Sequence, residues 1–594
     1  MARWLASPGP AGGHPAPRPS ADDPLDAAHS DRLEGNLAVI PGALAARLRA
    51  AAGTAVEIDP KGRPALRVHR TLYALPVVSP PPQRIAVLPA TQPLLAFGVG
   101  LGERVSDLLT RRGPDAAPLW AWEPRAFVLA EALRRHDWSE ALAAGRLRLL
   151  VGLDLLDHPE LTGLPHDPHP VVSPLHYWER RALVAGFTAP RAVIVAGGLL
   201  IHELGTCLEA AGFQPWVLPL QERSVGEATD ALRRVAPGLV VGVNHMVGLP
   251  ELCGRLGLPL VEWEIDPSID RVRPPTASVH TTLIATWRRQ NVAAYRDAGF
   301  PRVVHLPLSA DTRIRRPLPR AEWGEAPDAG APVCFVGSSL VGQAGRHLRD
   351  ARRILGRFLA DRGQPPERAE TLVAEVIDAQ RANLEVWRVP ELLEMRLPGL
   401  QTWLRRTGHL VEPAQMLGEV LGAEWRFNAV ASCSAVGVEV WGDRGWTRLQ
   451  HAGVTWRGSA GARDQLTRIY NRAPIQLDVG RIYQRDIVTL RVFDVLACGG
   501  FVLAEHSAEL SDCFEVGVEV ESWRTLRELR AKVAWFAGNP DARQRVADAG
   551  RRRVERDHRL QDRVAWLLAQ RPGGASGGGE PAPDGGQDAP EQIL

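Results

Sequence analysis

Two arginines and two aspartates lie close together in one segment of the chain, where such side chains could bind a phosphate-bearing ligand. Arg485, Asp486, Arg491 and Asp494 lie in or just before a run whose apolar residues recur at helical spacing, and Gly499-Gly500 follows that run. The pattern predicts a helix that the glycines end and that a strand follows. Free backbone N–H groups and the helix dipole favour phosphate at the helix N-terminus, where the two arginines add positive charge. The segment therefore predicts a nucleotide-binding corner.

Loops elsewhere in the chain supply further polar residues after predicted strands. Ligands of open parallel α/β sheets bind outside the carboxyl ends of the strands, so these loops are candidates for ligand contact. In the second half of the chain, the candidate binding residues are Gly337, Ser338, Ser339, Arg457 and Gly458. In the first half they are His202 and His245, each of which could orient or deprotonate an acceptor group or serve only as a structural hydrogen-bonding residue.

The helix pattern also carries a family resemblance. Residues 491–500, with the sequence RVFDVLACGG, together with the later pairs Glu509-Leu510 and Phe514-Glu515, resemble the C-terminal half of CgeB-like (spore maturation protein type) glycosyltransferases. That group is similar to the retaining group 1 glycosyltransferases, which have the GT-B fold of two facing Rossmann-like domains. The resemblance implies an α/β fold with a GT-B pair of domains.

The same resemblance implies roles for individual residues. In the wider superfamily, a glutamate of this helix binds the ribose hydroxyls of the nucleotide, and a second one lies eight positions earlier. Asp494 and Asp486 stand at these two positions, each one methylene shorter than glutamate. The resemblance thus implies ribose binding by Asp494 and donor-sugar contact by Asp486, although capping of the helix is an alternative role for Asp486.

The implied reaction transfers a glycosyl group from a nucleoside diphosphate sugar to an acceptor hydroxyl or amine, with retention and without a metal. Asp486, Arg491 and His245 are the implied catalytic residues. The amides of 337–339, with Arg485 and Arg491, would stabilise the departing diphosphate. The nucleotide sugar is a co-substrate, no tightly bound cofactor is expected, and the acceptor is unidentified. A non-catalytic binding or scaffold protein is an alternative, because both family glutamates are replaced.

A second glycine-containing turn lies near residue 100. An apolar run over 94–97 leads into Gly98-x-Gly100-x-Gly102, a predicted helix and a second apolar run that ends at Glu123. The stretch resembles the Rossmann-like domain of MptE-like (6-hydroxymethylpterin diphosphokinase-like) proteins. The glycines and Glu123 also fit an S-adenosylmethionine-dependent methyltransferase, which would make the chain a methyltransferase or a bifunctional enzyme. A Rossmann-like module used only for packing is a third interpretation.

Length and composition limit the class of protein. The chain has 594 residues, which suggests about three or four domains, and 45% hydrophobic residues, which is typical of a globular protein. The net charge of only +2 gives no reason to expect a nucleic acid partner, and no run is long enough to span a membrane. Six cysteines without a C-x-x-C pair argue against a zinc site or disulfides, so we expect a cytoplasmic protein.

The order of the patterns predicts the domain organisation. We expect disordered tails at 1–30 and 571–594, because the first is rich in proline, alanine and glycine and the second in glycine, proline and acidic residues. A Rossmann-like module is predicted over 31–185, a GT-B acceptor domain over 190–315 and a GT-B sugar-nucleotide domain over 330–568. The last domain contains a predicted helical insertion, residues 346–422, after which a strand at 427–430 should resume the α/β alternation.

Overall fold

The computed structural model describes residues 24–68, 71–76, 90–187, 190–197, 199–266, 272–323, 332–409, 412–461 and 463–572. The chain divides into two compact units, with the boundary between Val243 and Asn244. We call them the amino-terminal and the carboxy-terminal unit. The boundary lies inside the predicted domain 190–315, and the domain limits drawn from the sequence stay predictions. Both units combine helices with parallel strands, so the predicted α/β fold class is confirmed.

The amino-terminal unit contains a parallel sheet between helices, with a small antiparallel sheet before it. Its strands are β1 (Glu57–Ile58), β2 (Pro64–Val68), β3 (Thr71–Ala74), β4 (Leu94–Phe97), β5 (Leu119–Glu123), β6 (Leu147–Val151), β7 (His166–Pro168), β8 (Arg191–Val195), β9 (Gln214–Leu218) and β10 (Leu239–Val243). Its helices are α1 (Pro24–Leu37), α2 (Gly42–Ala51), α3 (Glu103–Arg112), α4 (Ala126–Arg135), α5 (Ser139–Ala143), α6 (Val172–Leu175), α7 (Tyr177–Ala185), α8 (Ile201–Ala210) and α9 (Val225–Val235).

The strands of this unit that lie in parallel sheets are paired as follows and are largely buried. Strands β6, β5, β4 and β7 pair in that order and in parallel, and β8 pairs in parallel with β9 and with β10. Every residue of β4 and β5 is buried, as expected for strands covered by helices on both faces. Helix α1 begins at Pro24, within the predicted tail 1–30, of which residues 1–23 lie outside the described part of the chain.

The carboxy-terminal unit contains two sets of parallel strands. Its strands are β11 (Leu260–Glu264), β12 (Thr282–Thr286), β13 (Val303–His305), β14 (Val333–Val336), β15 (Val438–Trp441), β16 (Val454–Trp456), β17 (Ile475–Leu477), β18 (Val502–Glu505) and β19 (Glu521–Trp523). Strands β11, β12 and β13 pair in sequence order. The second set forms a six-stranded sheet in the order β16-β15-β14-β17-β18-β19, which we call the second sheet.

The helices of this unit include a long, nearly continuous helical stretch. The helices are α10 (Leu249–Leu256), α11 (Arg289–Asp297), α12 (Val341–Ala360), α13 (Arg368–Arg381), α14 (Val389–Arg396), α15 (Leu400–Arg406), α16 (Pro413–Ser432), α17 (Arg463–Arg472), α18 (Leu490–Ala497), α19 (Ala508–Cys513), α20 (Leu526–Gly538), α21 (Pro540–Asp557) and α22 (Leu560–Gln570). We call α12 to α16 the helical segment. Its core contains Leu355 and Phe358 of α12, Val376 of α13 and Leu417 of α16.

The helical segment extends further than the sequence predicts. Residues 427–430, which we expected to form a strand, belong to the last turns of α16 instead. Ala429 and Val430 are buried there together with Trp425, at spacings that one face of a helix allows. A short apolar run fits a buried strand or a buried helix equally well, which explains the wrong prediction. The alternation resumes at β15, where a strand is predicted.

No helix in the described part of the chain combines the length and the hydropathy that a transmembrane span requires.

Candidate functional site

The carboxyl ends of the strands of the second sheet meet at one edge, because all of its strands are parallel. The loops that leave β14, β15, β16 and β17 begin there, at Gly337, Gly442, Arg457 and Asp478. Helix α12 starts four residues after the end of β14, so its N-terminus lies at this edge as well. The edge therefore gathers several of the residues that the sequence singles out.

The turn after β14 is built around a carboxylate of the protein itself. Asp443 accepts hydrogen bonds from the Ser338 hydroxyl at 2.8 Å, the Ser339 amide at 2.7 Å and the Gly445 amide at 2.8 Å. Burial raises the pKa of Asp443, but the hydrogen bonds from Ser339, Ser338 and Gly445 outweigh it and hold that pKa below its usual range. The turn thus stabilises negative charge, and the two serine hydroxyls are already used for this purpose.

Arg491 lies directly under the same turn. Its Nε donates to the carbonyl of Val336 at 2.8 Å, its Nη1 pairs with Asp478, and its guanidinium lies 4.8 Å from the ring centre of Phe335. A Cβ atom at Gly337 would lie 2.9 Å from Nη2 of Arg491, so the glycine allows the guanidinium to approach the backbone. Arg491, predicted from the sequence, therefore contacts the β14 end, where Gly337 is also found.

A second arginine reaches the turn from helix α16. Arg426 is buried, and its Nη1 donates to the carbonyl of Ser338 at 2.7 Å. Among the described residues, no carboxylate lies within ion-pair distance of Arg426. Burial, and then the charges of Arg481 and Arg491, lower the pKa of Arg426. We call Arg426, Arg481 and Arg491 the arginine cluster.

Two of these three arginines are neutralised and the third is not. Arg481 places its Nε 2.7 Å from a carboxylate oxygen of Glu419, and Arg491 pairs with Asp478. Arg481 and Arg491 are partly exposed, whereas Arg426 is buried. The cluster therefore combines three arginines with two paired carboxylates, Glu419 and Asp478, at an edge where Asp443 and a helix N-terminus also lie.

Asp486 and Asp494 both form ion pairs with arginines of earlier elements. Asp486 is held by Arg288, through contacts of 3.1 Å and 2.8 Å, and its side chain is 38% exposed against 6% for Arg288. Asp494 receives a hydrogen bond of 2.8 Å from Nε of Arg315, and both side chains are buried. The carboxylate of Asp486 is therefore partly open to a ligand, whereas that of Asp494 already holds a guanidinium.

Arg485 points away from the arginine cluster. Its Nη2 donates to the carbonyl of Leu384 at 2.9 Å and lies 3.4 Å from a carboxylate oxygen of Glu505. Its guanidinium also lies 5.0 Å from the ring centre of Trp425. Arg485 is thus tied to the helical segment and to the end of β18, and its contacts do not include the turn after β14.

The remaining glycine and arginine predictions lie at two different places. Arg457 pairs with Glu439 at 2.9 Å, and the carbonyl of Gly458 accepts from Gly442 at 2.8 Å, both at the carboxyl edge of the sheet. Gly499-Gly500 precedes β18 and follows α18, so it lies at the opposite, amino-terminal edge. The two glycines end a helix and do not join the arginines.

His245 belongs to a separate part of the carboxy-terminal unit. Its Nδ1 lies 2.7 Å from a carboxylate oxygen of Glu262, and its ring packs edge-on against Tyr295 and Phe300. Burial alone would lower the pKa of His245, but Glu262, helped by Glu264, raises it above the usual range. The contacts of His245 lie on β11, α11 and the loop after α11, and none of them belongs to the second sheet.

His202 lies in the amino-terminal unit, at the start of α8. Its ring packs at 5.0 Å from Tyr177 and at 5.3 Å from Trp178. Aromatic packing of this kind is what a structural histidine shows, so the geometry favours the structural interpretation of His202.

The glycine turn near residue 100 is filled by side chains of the protein. A Cβ atom at Gly98 would lie 2.7 Å from the Cβ atoms of His169 and Val172, and one at Gly100 would collide with the His169 ring. Glu123 accepts hydrogen bonds of 3.0 Å from the amides of Val99 and Gly100. The close approach that the glycines permit is therefore used by His169, which favours a packing role for this module.

The sequence patterns did not predict a role in the site for five of its residues: Arg426, Arg481, Glu419, Asp443 and Asp478. Arg426 and Glu419 had a detectable signal, because they are charged residues seven positions apart on a helix that is otherwise mostly buried and apolar. Residues at this spacing lie on one face of a helix. The error over 427–430 hid the signal, since it ended the helix before Arg426.

Comparisons with known proteins agree with this geometry in one region. Residues 410–569 match the model of a family described as glycosyl transferase-like. None of the curated proteins matches the chain in sequence.

Three solved structures are similar to part of the chain. A glycosyltransferase from Rickettsia africae ESF-5 has a TM-score of 0.40 and 9% identity, over 64% of this chain and 98% of its own. Anabaena Alr3699/HepE, in complex with UDP and glucose, has a TM-score of 0.39 and 12% identity, over 64% and 98%. The sucrose-phosphate synthase of Thermosynechococcus elongatus has a TM-score of 0.39 and 12% identity, over 64% and 97%.

Proposed function

We propose that the chain transfers a glycosyl group from a nucleoside diphosphate sugar to an acceptor hydroxyl or amine, as in the CgeB-like type of glycosyltransferase. The observation that carries the proposal is the arginine cluster, above all the buried Arg426, which has no paired carboxylate among the described residues. All three arginines lie within residues 410–569, the region that matches the glycosyl transferase-like family.

The charge of the cluster favours a diphosphate as its ligand. A buried guanidinium is costly unless a negative charge compensates it, and Arg481 and Arg491 increase this cost for Arg426. A diphosphate supplies negative charge and acceptor oxygens, which arginine binds with two parallel hydrogen bonds. The amide of Gly337 already donates to the carbonyl of Trp441 and that of Ser339 to Asp443, so the exposed Ser338 and the N-terminus of α12 are left to provide backbone amides beside the arginines. The site is therefore suited to the diphosphate of a nucleotide sugar.

In the proposed reaction, the bond between the sugar C1 and the diphosphate oxygen breaks, and the acceptor oxygen or nitrogen forms a bond to C1. The proton of the acceptor passes to the departing diphosphate. Negative charge grows on the diphosphate during this step, so cationic groups already in place lower the barrier. The arginines supply this charge, so the proposed step needs no metal, and we propose that it proceeds with retention.

The other predicted residues take roles around this centre. We assign Arg491 to the diphosphate, Asp486 to hydroxyls of the sugar, and His245 to the acceptor. Asp494 would bind the ribose, for which its carboxylate has to accept hydroxyls in addition to Arg315 or in its place. Arg457 and Gly458, at the edge of the sheet, remain proposed contacts of the nucleotide.

Calorimetric titration with the glucose adducts of UDP, GDP, dTDP and CDP tests the proposal. We expect one of them to bind the wild type, and Arg426→Met to weaken its binding about 100-fold, because a charged contact to phosphate is lost. Arg353→Met is the matched control, since Arg353 is an exposed arginine of α12 that pairs with Asp350. This control should bind like the wild type.

Two results would overturn the proposal. One is the absence of binding of every nucleotide sugar to the wild type. The other is unchanged affinity in Arg426→Met, with the melting temperature of that variant showing that it is folded. Methionine has a similar length to the arginine stem, and its introduction also removes the repulsion from the neighbouring arginines, so we expect Arg426→Met to fold.

A further inference from the structure

A cavity of about 530 Å³ opens in the carboxy-terminal unit next to the arginine cluster. The helical segment, the loop at 482–486 and the start of α11 all contribute to its wall. The lining residues that matter here are Arg288, Trp387, Gln401, Gln415, Tyr483 and Asp486. We propose that this cavity binds a neutral glycosyl unit of the acceptor, an inference that rests on the proposed function and gives the helical segment a role in substrate recognition.

The aromatic part of the wall fits a sugar ring. Trp387 and Tyr483 place their ring centres 6.0 Å apart, with an angle of 51° between the planes. Trp387 is only partly buried, although it packs on the core of the helical segment. The apolar C–H face of a pyranose can lie against such a ring while its hydroxyls point to polar neighbours. The tryptophan therefore offers a platform that is open to the cavity.

The charges of the wall favour a neutral ligand. The ionisable lining residues, apart from the tyrosine hydroxyl, are two arginines and two carboxylates, namely Arg288, Arg485, Glu412 and Asp486. Arg288 is paired with Asp486, and Arg485 lies 3.4 Å from Glu505. A phosphate or an acidic sugar would meet no excess of positive charge here, in contrast to the arginine cluster.

The polar groups of the wall suit hydroxyls. Three glutamine side chains line the cavity: Gln290, Gln401 and Gln415. Each amide can donate and accept hydrogen bonds, as a sugar hydroxyl can. Asp486, assigned above to the donor sugar, also faces this cavity, with a side chain that is 38% exposed while the buried Arg288 holds it in place, so Arg288 acts as a positioning residue. A carboxylate that is fixed and open can accept hydrogen bonds from a pair of hydroxyls.

The cavity and the arginine cluster share a loop and a carboxylate. Glu419 accepts a hydrogen bond from the Tyr483 hydroxyl and pairs with Arg481. Tyr483 lines the cavity, and Arg481 belongs to the cluster two residues earlier. A sugar bound against Tyr483 would thus lie beside the proposed diphosphate site, as transfer requires.

Saturation-transfer NMR with the methyl glycosides of glucose, galactose, mannose and N-acetylglucosamine tests the inference. We expect at least one of them to give signals with the wild type, and Trp387→Ala to weaken its binding about tenfold through loss of the ring contact. Trp535→Ala is the matched control, because Trp535 is 53% exposed and lies on α20, outside the cavity. Glucose 6-phosphate should bind more weakly than methyl glucoside.

The inference is overturned if no methyl glycoside gives signals, if Trp387→Ala binds as well as Trp535→Ala, or if glucose 6-phosphate binds best. Calorimetry with nucleotide sugars on the same variants separates this result from the fate of the proposed function. Trp387→Ala should keep the nucleotide affinity of the wild type. Glycoside signals without any nucleotide binding would refute the proposed donor site and leave the sugar cavity standing, whereas the reverse result would refute the cavity alone.

Discussion

Strands β4 and β14 each lead through a glycine-containing turn into a helix, but the surroundings of the two turns differ in charge and in occupancy. The turn at 98–102 is covered by His169 and Val172, and it holds the carboxylate of Glu123 on its amides. The turn at 337–339 is contacted by Arg426 and Arg491, and its single glycine, Gly337, lets Arg491 approach.

The difference teaches that a strand, a glycine turn and a helix do not by themselves indicate a ligand site. Both turns have the backbone that such a site needs. At the first turn, the protein places its own side chains where a nucleotide would lie. At the second, its own carboxylate, Asp443, accepts from the Ser338 hydroxyl and the Ser339 amide, but the buried Arg426 beside this turn forms no ion pair among the described residues. We therefore place the candidate site by the buried arginine and by whether side chains already fill the turn, and not by the glycines.

The largest effect is expected at Gly100. Gly100→Ala should lower the free energy of unfolding by about 4 kcal/mol, because its φ of +58° is left-handed and the new methyl group would meet the ring of His169. Gly62→Ala is the control, because Gly62 also has a left-handed φ, of +77°, but no described atom lies within 4 Å of an added Cβ. This variant should lower the free energy of unfolding by only about 1 kcal/mol. Urea unfolding measures both. Equal costs would mean that the His169 contact is unimportant and that the first turn is not closed by it.

The second effect concerns the pH dependence of stability. Burial raises the pKa of Glu123 from 4.5 to about 7, against the opposing effect of the Gly100 and Val99 amides. The folded protein holds this proton more tightly than the unfolded chain does. The contribution of Glu123 to the stability of the fold is therefore complete below pH 4.5 and is lost as the pH rises through about 7. The Glu123→Gln variant has no proton to lose at this position. Its free energy of unfolding should therefore rise by about 3 kcal/mol relative to that of the wild type as the pH goes through this range.

Urea unfolding at several pH values between 4.5 and 8 measures the Glu123 effect. Burial and the charge of Arg104 lower the pKa of His169 to about 4, which gives a contribution of opposite sign. His169 is present in both proteins, so the difference between them isolates Glu123. Parallel stability profiles would show that the first turn does not stabilise the protonated carboxyl and would remove one contrast between the two turns.

The smallest effect on stability is expected at Gly337. Here the new methyl group of Gly337→Ala would lie 2.9 Å from the end of the Arg491 side chain and 3.0 Å from the Phe335 ring. The guanidinium can shift, so the free energy of unfolding should fall by only about 1 kcal/mol. Nucleotide affinity should fall about tenfold, since Arg491 is displaced. Calorimetry with the nucleotide sugar that binds the wild type checks this, and loss of stability without loss of affinity would contradict it.

Much of the fold was accessible from the sequence. Strands that are buried on both faces appear as continuous apolar runs, so β4, β8 and β14 could be predicted, each with its glycine or serine turn. The strand predicted at 427–430 failed because its residues pack equally well on a helix face. Periodicity does not distinguish the two structures over four residues.

The site was less accessible than the fold. Arg491 could be predicted because it belongs to the helix that forms the pattern. Arg485 belongs to the same pattern, yet it donates a hydrogen bond to the carbonyl of Leu384, a residue of the helical segment 101 positions earlier in the chain. Arg426 reaches Ser338 across 88 residues. Such partners are set by tertiary packing, which local spacing does not encode.

Glu419 limits how this protein can be shortened or recombined. Glu419 lies on α16, inside the predicted helical insertion 346–422. Its carboxylate nevertheless accepts a hydrogen bond from Tyr483, pairs with Arg481 and also accepts from Gln343. Excision of helices α12 to α16, or exchange with another loop, would also remove Arg426 and leave Arg481 without its counter-charge. Any trimmed or chimeric version that is meant to keep the proposed donor site has to retain α16 together with the residues at 481–491.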